Sequence, residues 1–369
     1  MVERKILPTN RRDHILALLD EYGTVSVSQL AKEMAVSAIT IRRDIALLAE
    51  EGKLEQIRGG ARRLAVESPA RVPANSTIGV LTPSLDFYWP TIIDGANQSA
   101  DNLGIRLLLQ ASTFAAQDNI RQLEILLKHS KVDGLFMVPN TEGPHSAELI
   151  EKLIQLDLPV VLVERELGPR STDGQVFESV STDHRRGAAM AIRHLHGLGH
   201  QRVGLITDKE VPSRHAIRRG WEETLSDLQM DTSSPALDTT CLSSSKRSKA
   251  LVKFLEECMN EDVTAFLIHS DEAALLALEV LEARGYEVPR DVSIVAYDDE
   301  LARLARPALT AIAPPKEEIG AAAIEVLAKR FISPNSAQRQ VRLQPRLVVR
   351  NSTAAPRAGS SAADQPEAD

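Results

Sequence analysis

Cysteine is almost missing from this chain: Cys241 and Cys258 are the only two among 369 residues. They form no CxxC pair and supply no disulfide framework. No apolar run approaches the ~20 residues that would cross a bilayer. The opening residues, Met1-Val2-Glu3-Arg4-Lys5-Ile6, lack the apolar core of a secretory signal. Together these absences point to a protein of the reducing cytoplasm with no membrane partner. Catalytic signatures are missing too. Arg58-Gly59-Gly60-Ala61 lacks the Lys-Ser/Thr that a P-loop needs. No GxGxxG follows a strand, and no GxSxG nucleophile elbow is present. His194, His196 and His200 are spaced to scatter around a helix end, not to converge on a metal. No enzyme activity, cofactor or metal site is expected.

What is present is a change of character along the chain. Residues 1–64 hold eleven Lys/Arg against nine Asp/Glu, a balance of +2, while the whole chain stands at −8. A mildly basic head on an acidic body suits a DNA reader joined to a sensing domain, although so small an excess decides nothing alone. In the head, Ile15, Leu16, Leu18 and Leu19 mark a first helix that Gly23 stops. Ser26 with Gln29 has capping-box spacing for a short second helix burying Leu30 and Met34. Ser37 is placed to cap a third, in which Ile41, Ile45 and Leu48 make one apolar stripe. Thr40, Arg42 and Arg43 lie off that stripe, where a hydroxyl and two guanidinium groups suit base edges and phosphates. The alternative is a solvated helix face. Leu54–Ile57 reads as a strand that Arg58-Gly59-Gly60 turns back.

This run resembles the DeoR-type winged helix-turn-helix, through Val36-Ser37, Thr40–Ile45, Leu47-Leu48, Gly52 and Gly59-Gly60-Ala61. The resemblance implies sequence-specific binding of double-stranded operator DNA through Ser37, Thr40, Arg42 and Arg43, with Arg58 at the wing. Ala49 departs from the usual acidic residue, and Glu55-Gln56 makes the wing less basic than usual. The head is expected over 1–61. Residues 62–76, with Pro69 and Pro73, read as a linker.

From residue 77 short apolar strands alternate with helices, around Ile78–Leu81, Arg106–Gln110, Val132–Val138, Pro159–Val163, Val203–Thr207, Ala265–His269 and Ser293–Ala296. Apolar strands with helical crossovers mean parallel sheets covered on both faces. So many units exceed one sheet, and two similar lobes closing on a ligand are the economical arrangement. The fold class is therefore α/β, a two-lobed body behind a small winged helix-turn-helix.

The body, over 77–350, resembles the effector domain of the lactose-repressor family, which shares its fold with periplasmic sugar-binding proteins. An ordered series carries the resemblance: Asp86-Phe87-Tyr88-Trp89 and Asp94-Gly95, then Val132-Asp133-Gly134 and Glu164-Arg165. It continues through Asp183, Gly187, His194-Leu195, Leu198-Gly199-His200 and Arg218-Arg219-Gly220-Trp221 to Ser270-Asp271, Val288–Ser293, Tyr297-Asp298-Asp299 and Pro307–Thr310.

The ligand candidates follow. Phe87, Tyr88 and Trp89 gather three rings in a chain only 4% aromatic, to stack on a sugar or base or, for at least one, to pack into the lobe. Asp86 shares their loop. Asp271 is placed to accept ligand hydroxyls, or else to cap Glu272–Arg284. Ser213, Arg214 and Arg218 follow the Val203–Thr207 strand, and one of the arginines is expected at the ligand. Asn140 and Arg165 follow other strand ends, Asp183 is expected to fix a crossover between lobes, and His194 and His200 are expected to be structural. The resemblance implies a homodimeric repressor with a sugar-like effector. The competing function is an enzyme, because DeoR-type heads are often joined to a domain resembling sugar-phosphate isomerases. Residues 351–369 read as a disordered tail.

Overall fold

The computed structural model describes residues 8–63, 72–167, 177–209, 211–239 and 244–357. The chain divides into two compact units, 1–71 and 72–369.

The head contains α1 (Pro8–Tyr22), β1 (Thr24–Ser26), α2 (Val27–Glu33), α3 (Ala38–Glu50), β2 (Leu54–Ile57) and β3 (Gly60–Arg63). Three of the helix boundaries have their expected cause. Gly23, at φ +73°, ends α1, Ser26 Oγ accepts from Gln29 N at 3.1 Å, and Ser37 Oγ accepts from Thr40 N at 3.2 Å. Ile15, Leu19, Leu30, Met34, Ile41, Ile45 and Leu48 make one core. Beside it, buried Arg11 grips Asp44 of α3 through Nε at 2.5 Å and Nη2 at 3.2 Å. A buried fork of this kind sets the rotation of α3 about its axis more than it adds stability.

Two readings of the head change. The sheet has three strands in the order β1-β3-β2, because three-residue β1 is too short to leave a periodic signal. The return strand runs to Arg63, so the linker expected from residue 62 begins with two wing residues. Arg62 lies there 2.7 Å from Glu55, which accounts for the acidic residue in the wing. At its other end, Val72 packs on the core of the body. Pro69 lies outside the described residues.

The body opens with β4 (Thr77–Thr82), α4 (Tyr88–Leu103), β5 (Arg106–Ala111), α5 (Ala116–His129), β6 (Gly134–Met137), α6 (Ser146–Ile154), β7 (Val160–Val163) and β8 (Glu178–Thr182). It continues with α7 (His184–Gly197), β9 (Val203–Asp208), α8 (Arg214–Asp227), β10 (Ala236–Thr239), α9 (Ser244–Asn260), β11 (Ala265–Ile268), α10 (Asp271–Ala283), β12 (Ser293–Tyr297) and β13 (Thr310–Ala313). Then come α11 (Lys316–Ile332), β14 (Gln340–Leu343) and β15 (Arg346–Val348). One lobe holds a parallel sheet ordered β14-β8-β7-β6-β4-β5, and the other a sheet ordered β10-β9-β11-β12-β13-β15. The second is not wholly parallel, since β15 runs against β13.

The chain passes between lobes three times: from β8 to α7, from β13 to α11 and from β14 to β15. After the second passage α11 lies across α4 so closely that a Cβ on Gly320 would stand 1.9 Å from Ile92 O, and one on Gly95 2.0 Å from Glu317 O. Only glycine permits that approach. The tail also differs from expectation. Ser352 is fully buried, its Oγ accepting from Thr310 N at 2.8 Å and donating to Ile294 O at 2.6 Å. Residues 358–369 lie outside the described residues.

Candidate functional site

Both lobes turn the carboxyl ends of their strands toward a shared cleft, where open α/β sheets leave room for ligands. The cleft holds a cavity of about 320 Å³. Asp86, Phe87, Tyr88, Trp89 and Arg165 line it from the first lobe, and Ser213 and Asp271 from the second. The aromatic trio is not wholly loop, because α4 begins at Tyr88. Phe87 precedes that helix with φ 48° and ψ −94° and stays half exposed, a conformation costly for a non-glycine residue. Tyr88 donates to Glu164 Oε1 at 2.8 Å and meets Trp89 edge-on at 5.4 Å between centroids. Trp89 also belongs to the core of its lobe.

Asp271 is the first residue of α10, and its carboxylate does not cap that helix. Instead Oδ2 accepts three backbone amides, from Glu300 at 2.6 Å, Leu301 at 2.7 Å and Ala302 at 3.0 Å. Oδ1 has no donor although the residue is buried. Burial, with the charge of Asp298 added, pushes this carboxyl up to about 6 against the pull of the three amides. Arg165 is likewise buried, with Nη1 donating to Glu164 O at 2.6 Å and Nε unpartnered. Its desolvation lowers the guanidinium's pKa.

Three expected residues lie outside this cavity. Asn140 builds its own loop, its amide oxygen accepting from Glu142 N at 3.0 Å and its amide nitrogen donating to Phe114 O. Arg218 pairs with Asp238 at 2.8 Å. Arg214 reaches across to the other lobe and meets Glu142 at 2.7 Å, with His215 at 3.0 Å from the same carboxylate. These contacts latch the lobes. Glu142→Ala is expected to weaken ligand binding about three- to tenfold by removing roughly 1 kcal/mol from the closed arrangement, with little change in melting temperature. Calorimetric titration giving an unchanged Kd would show that the latch does not bias closure.

Two further residues at the cavity, Glu164 and Asp298, stood in the sequence only as members of the family-like series. Glu164 sits at φ 54°, its oxygens accepting from Thr182 Oγ1 at 2.7 Å and Thr182 N at 3.2 Å, with His184 Nε2 at 3.0 Å. Burial alone would raise its pKa, but hydrogen bonding to and charge on His184, with Thr182 and Tyr88, hold it at about 2. Asp298, at φ 99°, is pushed up to about 6, chiefly by burial. Lys316 sits beneath, 2.5 Å from Glu300 and 5.3 Å from the Tyr88 ring centroid. Asp183 caps α7 at the first crossover, accepting from Arg186 N at 3.0 Å. His194 bonds Thr353, and His200 bonds Thr264, Ser293 and Ala354. Both are structural.

In the head, the outer face of α3 carries exposed Arg42 and Arg43 and partly exposed Thr40, whose hydroxyl lies 2.9 Å from Ser37 Oγ. Arg58 is exposed in the turn between β2 and β3. None of these arginines forms an ion pair among the described residues.

A helix presenting unpaired guanidinium groups beside a wing, and a cleft with unmet polar atoms, define a DNA-binding transcription regulator responsive to a small molecule. Residues 11–66 match the DeoR-like helix-turn-helix domain, and residues 192–353 the periplasmic binding protein-like domain. The chain is 29% identical over 335 residues to the arabinose metabolism transcriptional repressor of Geobacillus stearothermophilus, covering 88% of this chain and 90% of that one. It is 27% identical over 343 residues to catabolite control protein A of Priestia megaterium, covering 89% and 99%. The crystal structure of a LacI family transcriptional regulator from Enterococcus faecium with bound ribose aligns with TM-score 0.61 at 25% identity, over 76% of this chain and all of that one. No helix among the described residues is long and apolar enough to cross a membrane.

Proposed function

We propose that the protein is a cytoplasmic, homodimeric repressor whose hold on its operator is set by a sugar-like molecule in the cleft, and that it catalyses no reaction. The observation that carries the effector reading is the cavity lining. Asp271 offers a buried acceptor with no donor, Arg165 a buried donor group with an unmet Nε, and the Phe87–Trp89 segment supplies apolar ring faces. Vicinal hydroxyls that both donate and accept, carried on an apolar ring face, meet all three demands. The arabinose metabolism repressor and the ribose-bound regulator that the chain resembles agree with it, and a sugar-phosphate turnover assay on the purified protein tests the isomerase alternative.

In this reading Ser37, Thr40, Arg42 and Arg43 meet the major groove, and Arg58 meets phosphate. Closure of the lobes on ligand shifts the population of DNA-competent dimers. The test is selection of duplexes from a random pool by the full chain, followed by titration of the selected site with pentoses, hexoses and disaccharides. Arg42→Ala is expected to weaken that duplex about tenfold or more and to reduce the slope of log affinity against log salt by about one. Unaltered gel-shift affinity and slope would remove α3 from the DNA interface. A failure of every sugar to shift either melting temperature or DNA affinity would remove the effector class.

A further inference from the structure

Ile39 is 75% exposed, more than any other large apolar side chain among the described residues. It is the second residue of α3, directly after the Ser37 cap and Ala38. The inward face of that helix is already occupied by Ile41, Ile45 and Leu48 and pinned by the Arg11–Asp44 fork. Ile39 therefore contributes nothing to the core of the head. A β-branched residue on an open helical surface also carries a propensity cost relative to alanine or glutamine.

A lone exposed apolar residue usually needs no explanation. This one sits one turn before Arg42 and Arg43 on the outer surface of α3, at the end of a recognition helix whose residues reach base edges. Among the groups that base pairs present in the major groove, the thymine C5-methyl is the apolar one, and it is read by apolar contact and not by hydrogen bonding. An isoleucine between a capped N-terminus and two guanidinium groups has the chemistry to cover that methyl while its neighbours take acceptors on adjacent bases.

We propose that Ile39 is a specificity-determining residue that reads a thymine methyl group in the operator. The inference rests on α3 being the DNA-facing helix. Full-length protein is used to select a duplex from a random pool, and each thymine of that duplex is replaced in turn by deoxyuridine, which lacks only the methyl. At one position, or one in each repeat of the site, wild-type affinity is expected to fall about fourfold, the worth of one buried methyl-sized group. Ile39→Ala is expected to bind the thymine site more weakly by a similar factor and to lose nothing further at that position on deoxyuridine. The DNA substitutions require no protein variant, so folding cannot obscure them.

Wild-type binding indifferent to deoxyuridine everywhere overturns the assignment. So does an Ile39→Ala protein that keeps the full deoxyuridine penalty. Arg42→Ala separates the two levels. If it weakens binding while deoxyuridine does not, α3 stands and Ile39 falls; if neither matters, the DNA-facing assignment of α3 falls with it.

Discussion

Replacing Asp271 by asparagine is expected to leave the body folded while weakening effector binding about 10- to 100-fold. The amide oxygen of asparagine can take the place of Oδ2 and keep the three amides of Glu300, Leu301 and Ala302 satisfied. Its amide nitrogen then stands where Oδ1 lacked a donor, turning an acceptor at the cavity wall into a donor. A ligand hydroxyl loses one charge-assisted hydrogen bond, worth about 1.5–3 kcal/mol. Asp271→Ala behaves differently. It strands the N–H of buried Ala302, at a cost of about 1–3 kcal/mol, and those of half-buried Glu300 and Leu301 at less, so a clear fall in melting temperature accompanies the loss of binding. Calorimetric titration with the sugar that shifts the melting temperature, beside thermal unfolding of both variants, separates ligand contact from support of the turn. Wild-type affinity in Asp271→Asn would mean that the carboxylate serves the 300–302 turn alone.

The contrast between these variants shows where sequence reasoning reached and where it stopped. Caps and stripes in the head were legible because Ser26, Ser37 and the Ile41-Ile45-Leu48 row act within one or two helical turns. The Arg11–Asp44 fork was not, since it joins residues far apart in sequence through the packing of α1 on α3. In the body, apolar strands such as Val160–Val163 announced themselves, whereas β8 did not. Glu-Ser-Val-Ser-Thr is mostly polar, yet all five residues are buried. Positions after strand ends marked the cleft, and Asp271, Arg165 and Ser213 do line it. The direction of a side chain there depends on what faces it. Glu142 draws Arg214 across the cleft, and Asp238 holds Arg218. Glu164 and Asp298 line the cavity from positive-φ backbone, although the sequence presented both only as members of the family-like series.

Ligand-free protein is expected to gain stability on mild acidification before strong acid removes it. Asp271 and Asp298 are each pushed from 3.8 up to about 6, first by burial. The Asp298 charge adds to the effect at Asp271; at Asp298, Lys316 and His184 oppose burial while Glu164 and Glu300 reinforce it. A carboxyl with a raised folded pKa binds its proton more tightly in the fold than in the unfolded chain. Its ionisation therefore costs stability at every pH above about 6, and that cost is relieved as pH falls from 6 toward 4. For one group the movement corresponds to about 3 kcal/mol, and the total for the pair is less than twice that because part of the cost is their shared repulsion. Glu164 works in the opposite sense. Held at about 2, it contributes stability above 4.5 that is lost as pH falls toward 2. The melting temperature should thus peak at roughly pH 4 to 5 in this balance. Asp298→Asn should flatten the limb between pH 4 and 6 while leaving the acid limb in place. A melting temperature that falls steadily from pH 7 to 4 in the parent would mean that the cleft carries no uncompensated charge. A hydroxyl donating to Asp271 favours the ionised carboxylate, so effector affinity should run the other way and weaken up to about tenfold per pH unit below 6.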